Sequence, residues 1–292
     1  MSTTRPEMTI VTGKGGVGKT TVAVALGMSL ATAGHQVLLV EFDSQTGVGT
    51  LLGRSKLPTE PVELAPRFRA VNLLATDATE RFLRRQLPLP LLFNLVAQSS
   101  ALRSFLRATP GLDEMFLFGA LDALLQEHPE LDQVILDAPA TGHGLTLLRI
   151  PYAFAQFVTF GGPRRLVEGV LAMLEQAQIY VVTLPEELPV SETLELATSL
   201  RRSIPVPLRK IVLNRCEEDP FDDEEFAFLR TNCRTAPAEE FLGAVTRWRN
   251  TLHRQSRQRD RLGVLGLPLV SLPALPGRDL DRAQLGLLAE VL

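Results

Sequence analysis

Cysteine is scarce in this 292-residue chain: Cys216 and Cys233 are the whole complement. Two thiols so far apart make no CxxC metal pair, and so low a count suits a reducing compartment. Charge of one sign is lacking as well. The formal net charge is −3, which gives no global case for nucleic acid or for an anionic membrane. Met1 to Met8 holds no apolar signal core. The most apolar stretch near mid-chain, Leu87 to Ala97, is broken by Pro88, Pro90 and Asn94 and is too short to span a bilayer. No internal repeat or low-complexity linker divides the chain. These absences set the expectation of a cytoplasmic protein. What is present, 45% hydrophobic and 22% charged residues, is ordinary for a soluble globular protein. A core of that size needs neither disulfide nor metal.

Apolar periodicity sets the fold class. Met8 to Thr12 is a short apolar run ending in a Gly-rich turn. Lys19 to Ala33 has helical spacing, with Val22, Leu26 and Leu30 on one side, and Gly34 stops it. Gln36 to Glu41 contains Val-Leu-Leu-Val, the pattern of a buried strand. Strand, loop, helix and strand predict one βαβ unit with a right-handed crossover. Ala70 to Ala75 reads as a third strand. Val134 to Asp137, Ile179 to Thr183, Lys210 to Leu213 and Leu267 to Leu272 repeat the short apolar form. Helices are predicted near Pro163 to Gln176, Val190 to Arg202, Glu224 to Thr231 and Ala238 to Leu262. Asp77 to Gln126 reads as helical throughout, punctuated by Pro88, Pro90, Pro110 and Gly111. The alternation predicts an α/β fold, a doubly wound, mostly parallel sheet covered on both faces. We expect a single domain over 1–292 with a small helical subdomain inserted at 77–130.

Gly13, four residues, then Gly18-Lys19-Thr20 fits the phosphate-loop pattern in full. Glycines let backbone N–H groups turn inward and cradle phosphate oxygens. The helix that follows points its positive end at the same anion. The candidate nucleotide-binding set is therefore Gly13, Gly15, Gly16, Val17, Gly18, Lys19, Thr20 and Thr21. Lys19 is expected to reach the β- and γ-phosphates, and the Thr20 hydroxyl to ligate Mg²⁺. Lys14 is not needed for that task, and composition alone makes it a surface lysine.

Two aspartates end predicted strands, where an open parallel sheet faces its ligand crevice. Asp137 follows Val-Ile-Leu, as expected of a carboxylate that holds Mg²⁺, with a helix cap as the plainer alternative. Asp43 precedes the polar stretch Ser44-Gln45-Thr46-Gly47. A carboxylate there would orient and deprotonate an attacking water, unless it is simply a turn residue. Asp137-Ala-Pro-Ala-Thr-Gly-His143-Gly144 supplies hinge freedom near the expected γ-phosphate. His143 by itself carries little, since a lone histidine is more often a satisfied polar group.

Lys14 together with Lys19 resembles the deviant Walker A loop of the ATPase group that includes MinD, ParA and the nitrogenase iron protein. The Asp137-to-His143 string resembles one branch of that group, which comprises ArsA and the ATPases that target tail-anchored membrane proteins. Pro110-Gly-Leu-Asp-Glu114, Thr183-Leu-Pro-Glu-Glu-Leu-Pro-Val-Ser-Glu-Thr193, Val212-Leu-Asn214 and Leu272-Pro-Ala-Leu-Pro276 resemble further stretches of it. The resemblance covers nearly the whole chain. It implies Mg²⁺-dependent ATP hydrolysis by a homodimer, with Lys14 reaching the opposite subunit's nucleotide and Asp43 activating water. It also implies that Asn214 reads adenine. The guanine-reading Asn-Lys-x-Asp is replaced by Asn214-Arg-Cys-Glu217, which favours ATP and leaves GTP open. Ser44-Gln45 stands where the family usually has Pro-Ala, and no zinc-binding CxxC or metalloid cysteine cluster is present.

Leu83, Leu87, Leu91, Leu92, Phe93, Leu95, Val96, Leu102, Phe105 and Leu106 either pack on the sheet or line a groove for a hydrophobic or membrane-protein client. Arg247, Arg249, Arg254, Arg257, Arg259 and Arg261 crowd one predicted helix. A solvated face is favoured over nucleic acid, because the chain is acidic overall. The leading expectation is a dimeric switch ATPase acting on such a client. The alternatives are a positioning ATPase of the MinD and ParA kind and a nucleotide-gated scaffold with little turnover.

Overall fold

The computed structural model describes residues 5–44, 47–53, 56–86, 109–139, 143–277 and 280–292. Its strands are β1 (Glu7–Gly13), β2 (Val37–Phe42), β3 (Val62–Ala65), β4 (Phe68–Leu73), β5 (Gln133–Asp137), β6 (Ala177–Thr183), β7 (Leu208–Cys216) and β8 (Leu269–Pro273). They form one sheet in the order β3-β4-β2-β5-β1-β6-β7-β8. Among the described strands only the β3–β4 pair is antiparallel. The helices are α1 (Lys19–Thr32), α2 (Val48–Leu51), α3 (Ala75–Gln86), α4 (Leu112–Glu127), α5 (His143–Phe157), α6 (Gly161–Leu174), α7 (Glu187–Ser203), α8 (Asp223–Asn232), α9 (Ala236–Leu262) and α10 (Arg282–Val291).

Strand residues point alternately to opposite faces, so a strand covered on both sides must be apolar throughout. In β2, Leu38 and Val40 join the core under α4 and α6, while Val37 and Leu39 join the core under α1 and α10. In β1, Ile10 and Val11 divide in the same way. Each such side chain contributes about 1.5–3 kcal/mol by leaving water. The central strands are parallel, so their carboxyl ends gather on one edge. That edge carries Gly13, Asp43, Asp137, Thr183 and Asn214.

The doubly wound sheet is as expected, but several elements differ. The third strand is β4, and α3 begins at Ala75, so the predicted Ala70–Ala75 run straddles a strand and a helix start. Strand β3 was not anticipated. It is a short edge strand with no fully buried residue, and so gives a weak periodic signal. Helix α5 was missed because Pro151 lies inside it, and a proline normally argues against a helix interior. The predicted Asp77–Gln126 helical region contains α3 and α4. Met115, Phe116 and Phe118 of α4 sit in the same core as the sheet. The groove residues from Leu87 to Leu106 lie outside the described residues, as do Gln45, Thr46 and Ala140 to Gly142. At the C-terminus, α10 buries Leu285 and Leu288 in the core that also holds Val22 and Leu26 of α1.

Candidate active site

The loop between β1 and α1 is shaped by close backbone approaches. Gly13 has φ +149, and a Cβ there would stand 2.2 Å from the Val182 carbonyl oxygen on β6. Gly18 caps α1 in the left-handed region at φ +91, and a Cβ there would meet Asn214 Nδ2 at 2.3 Å. Gly15 and Gly16 are exposed, whereas Val17 is buried under the loop. Lys19 is nearly buried and its ammonium donates to the Lys14 carbonyl oxygen at 3.1 Å. Burial lowers the Lys19 pKa, and the Asp137 carboxylate works the other way. Thr21 is half-buried on the first turn of α1.

Thr20 and Asp137, 117 residues apart in sequence, meet directly. The Thr20 hydroxyl donates to Asp137 Oδ2 at 2.6 Å. Asp137 Oδ1 and Thr12 Oγ1 are buried with no hydrogen-bond partner among the described residues. An orphaned carboxylate oxygen beside a hydroxyl fits a hydrated divalent cation, which supplies the missing partners. Among the described residues no cluster of three or more His, Cys, Asp or Glu forms a metal cage.

Asn214, 4% exposed, ties β7 to the loop: its Nδ2 donates to the Val17 carbonyl at 2.9 Å and its Oδ1 accepts from Arg215 N at 3.0 Å. Asp43 is exposed and left-handed, with φ +49. Its Oδ1 accepts from the Ala75 N–H at the start of α3, at 3.0 Å. Lys14 forms an ion pair with Glu192 of α7 at 3.0 Å, within its own chain. The Gly144 backbone lies close to the orphaned Thr12 hydroxyl; a Cβ there would be 3.0 Å away.

A match to the sequence profile of the anion-transporting ATPase family covers residues 6–175. The chain belongs to that family. ATPase BagA of Mycobacterium tuberculosis is 31% identical over 97% of this chain and 90% of its own length. The arsenical pump-driving ATPase of Escherichia coli is 29% identical over 59% of this chain, which spans only 30% of that larger protein. The ATPase ASNA1 homolog of Dictyostelium discoideum is 32% identical over 48% of this chain and 40% of its own length. Membership makes this protein a nucleotide-binding enzyme that hydrolyses ATP. No described helix is long and apolar enough to cross a membrane.

Three residues at the site escaped the sequence reading. Glu41 is buried on β2, in register with Asp137 of β5. Asn72 on β4 is buried and clasps Ser44, accepting from its N–H at 3.1 Å and donating to its carbonyl at 2.8 Å. Glu192 holds Lys14. Only the charged residue in an apolar strand, Glu41, left a visible signal. The arginines of α9 are partly committed within the chain. Arg249 bridges Asp219 and Asp223 at 2.6 and 2.7 Å and stacks over Phe226, and Arg261 donates to Ser191 at 2.8 Å. Arg254, Arg257 and Arg261 also line a cleft of about 990 Å³ beside Leu184 and Arg215.

Proposed function

We propose that this ATPase works as a homodimeric switch, with each site completed by the partner subunit. The contact of Thr20 with Asp137, whose second oxygen has no partner among the described residues, carries the nucleotide and cation part of this reading, and the shared site rests on the resemblance at Lys14. Gly13 to Thr21 would cradle the triphosphate, and Lys19 would exchange the Lys14 carbonyl for β- and γ-phosphate oxygens. Thr20 and Asp137 would hold Mg²⁺, which neutralises charge on the phosphates. Asn214 would face the adenine side of the loop. Asp43 would leave the α3 N-terminus and accept a proton from the attacking water. Lys14 would leave Glu192 and reach the nucleotide of the opposite subunit, cancelling charge as the phosphoryl group transfers. In this reading the cycle serves a hydrophobic or membrane-protein client in the cytoplasm, and the arsenical pump-driving and ASNA1-named relatives support that direction.

Mixing two inactive variants tests the shared site. Lys14→Ala and Asp43→Asn should each hydrolyse ATP far more slowly than wild type. In a mixed dimer, the Lys14→Ala subunit keeps its own Asp43 and receives Lys14 from its partner. Random pairing in a one-to-one mixture should therefore restore roughly a quarter of wild-type turnover. Absence of rescue in dimers shown to exchange, or wild-type turnover by Lys14→Ala alone, would remove the trans role.

A further inference from the structure

Glu41 is a buried acid that the cycle above leaves without a task. It follows Leu39 on the same face of β2 and points toward α1, the side on which Asp137 meets Thr20. An apolar residue would pack there at no electrostatic cost, as Leu39 does. A carboxylate in that place is expensive unless hydrogen-bonded. Its hydrogen bonds are specific. Oε1 accepts from the Val48 N–H at 3.1 Å, at the start of α2. The carboxylate also takes a hydrogen bond from the Ser44 side chain. Ser44 directly follows Asp43, and Val48 begins the next element. The backbone at Gly47 runs so close over the acid that a Cβ would lie 2.0 Å from Oε1, and its φ of +143 itself suits glycine. Asn72 clasps Ser44 from the other side. One carboxylate therefore ties both Ser44 and Val48 to the rigid sheet edge.

We propose that Glu41 is a positioning residue for ATP hydrolysis: through Ser44 and Val48 it fixes the backbone that aims Asp43 at the attacking water. The proposal rests on the reading of Asp43 as the water-activating group. A misplacement of about 1 Å can lower a rate by on the order of 100-fold, so a residue far from the bond being broken can act through geometry alone.

The test is steady-state ATPase kinetics with ATP affinity measured separately. Glu41→Ala should lower kcat by about 10- to 100-fold with the ATP Kd unchanged. Glu41→Gln keeps an oxygen for Val48 and Ser44 and should restore most of kcat, whereas Glu41→Met, which refills the volume without an acceptor, should stay as slow as Glu41→Ala; equal rescue by Met would mark a packing defect and overturn the positioning role. Added to Asp43→Asn, Glu41→Ala should slow the residual turnover no further. If Glu41→Ala does not fold, Ser44→Ala removes one of the two ties and should lower kcat several-fold with Kd unchanged. Wild-type kcat in Glu41→Ala or Ser44→Ala, alongside a slow Asp43→Asn, overturns the positioning role and spares the reading of Asp43. An equal loss in both backgrounds overturns it too. Wild-type turnover in Asp43→Asn removes that reading and the proposal with it.

Discussion

Replacing Asp137 by asparagine should stabilise the nucleotide-free protein while abolishing its response to Mg·ATP. Asp137 ends β5, is 9% exposed, and has one oxygen on Thr20 and the other without a partner among the described residues. Burial raises its pKa from 3.8 to about 6, with a further push from Glu41, against opposing help from the Thr20 hydroxyl and Lys19. The sign follows from linkage. A group whose folded pKa lies above its unfolded value binds its proton more tightly when folded. Its stabilisation is fully present below about 3.8 and is lost as pH rises through about 6. Holding the carboxylate ionised at neutral pH therefore costs as much as about 3 kcal/mol, at 1.36 kcal/mol per pKa unit. Asparagine keeps the shape and can accept from Thr20, but a neutral acceptor bonds less strongly than a charged one. The net gain should be about 1–2 kcal/mol, or a few degrees in Tm. Thermal unfolding across about pH 4 to 8 reads it out. The variant's advantage should be small at the acid end and grow through about pH 6. With Mg·ATP the order should invert, because wild type gains stability by binding and the variant gains little. A variant less stable than wild type near pH 7.5 without nucleotide would refute the claim that this site stores an unpaid charge.

Two further substitutions probe how the loop and α1 are seated. Asn214→Ala leaves the buried Val17 carbonyl without its donor, and should cost about 1–3 kcal/mol in urea unfolding and weaken nucleotide binding. Gly27→Ala would raise helix propensity in an exposed helix. Here the Cβ would lie 2.4 Å from the Phe68 ring, so a loss of about 1–3 kcal/mol is expected. An increase in urea midpoint would show that α1 and β4 have room to part.

The phosphate loop and the strand-end aspartates were legible in sequence because their chemistry demands fixed residue types at short spacing. Gly13 and Gly18 must be glycine for reasons the structure makes plain: a carbonyl and an amide stand where their Cβ atoms would be. Long-range partners were not legible. Glu192 meets Lys14, and Asn72 meets Ser44, across folds of the chain that no local pattern encodes. Pro151 hid α5 because proline's usual penalty was weighed without the packing that offsets it, with Leu147 and Leu148 buried in the core. The same limit applied to α9. Its arginines read as one solvated face, but Arg249 and Arg261 are tied to Asp219, Asp223 and Ser191 on neighbouring segments.

The resting contacts of the catalytic candidates share one property: each is cheap to exchange. Lys14 and Glu192 are both partly exposed, at 40% and 27%. Solvent screening holds such a pair to about 1 kcal/mol or less. Asp43 is exposed and accepts from the Ala75 N–H, a bond that water can replace at little net cost. Lys19 donates to a loop carbonyl, a weaker partner than a phosphate oxygen. Asp137 differs. It is buried, has one oxygen without a partner among the described residues, and has its pKa pushed up to about 6. In the proposed cycle, then, the free energy for closing the site is concentrated at the cation position, while the groups that must move are held only weakly. A ligand shifts such an equilibrium by its differential affinity for the two states. Mg·ATP would gain most at Asp137 and lose least at Lys14 and Asp43, which is the distribution a nucleotide-driven switch requires.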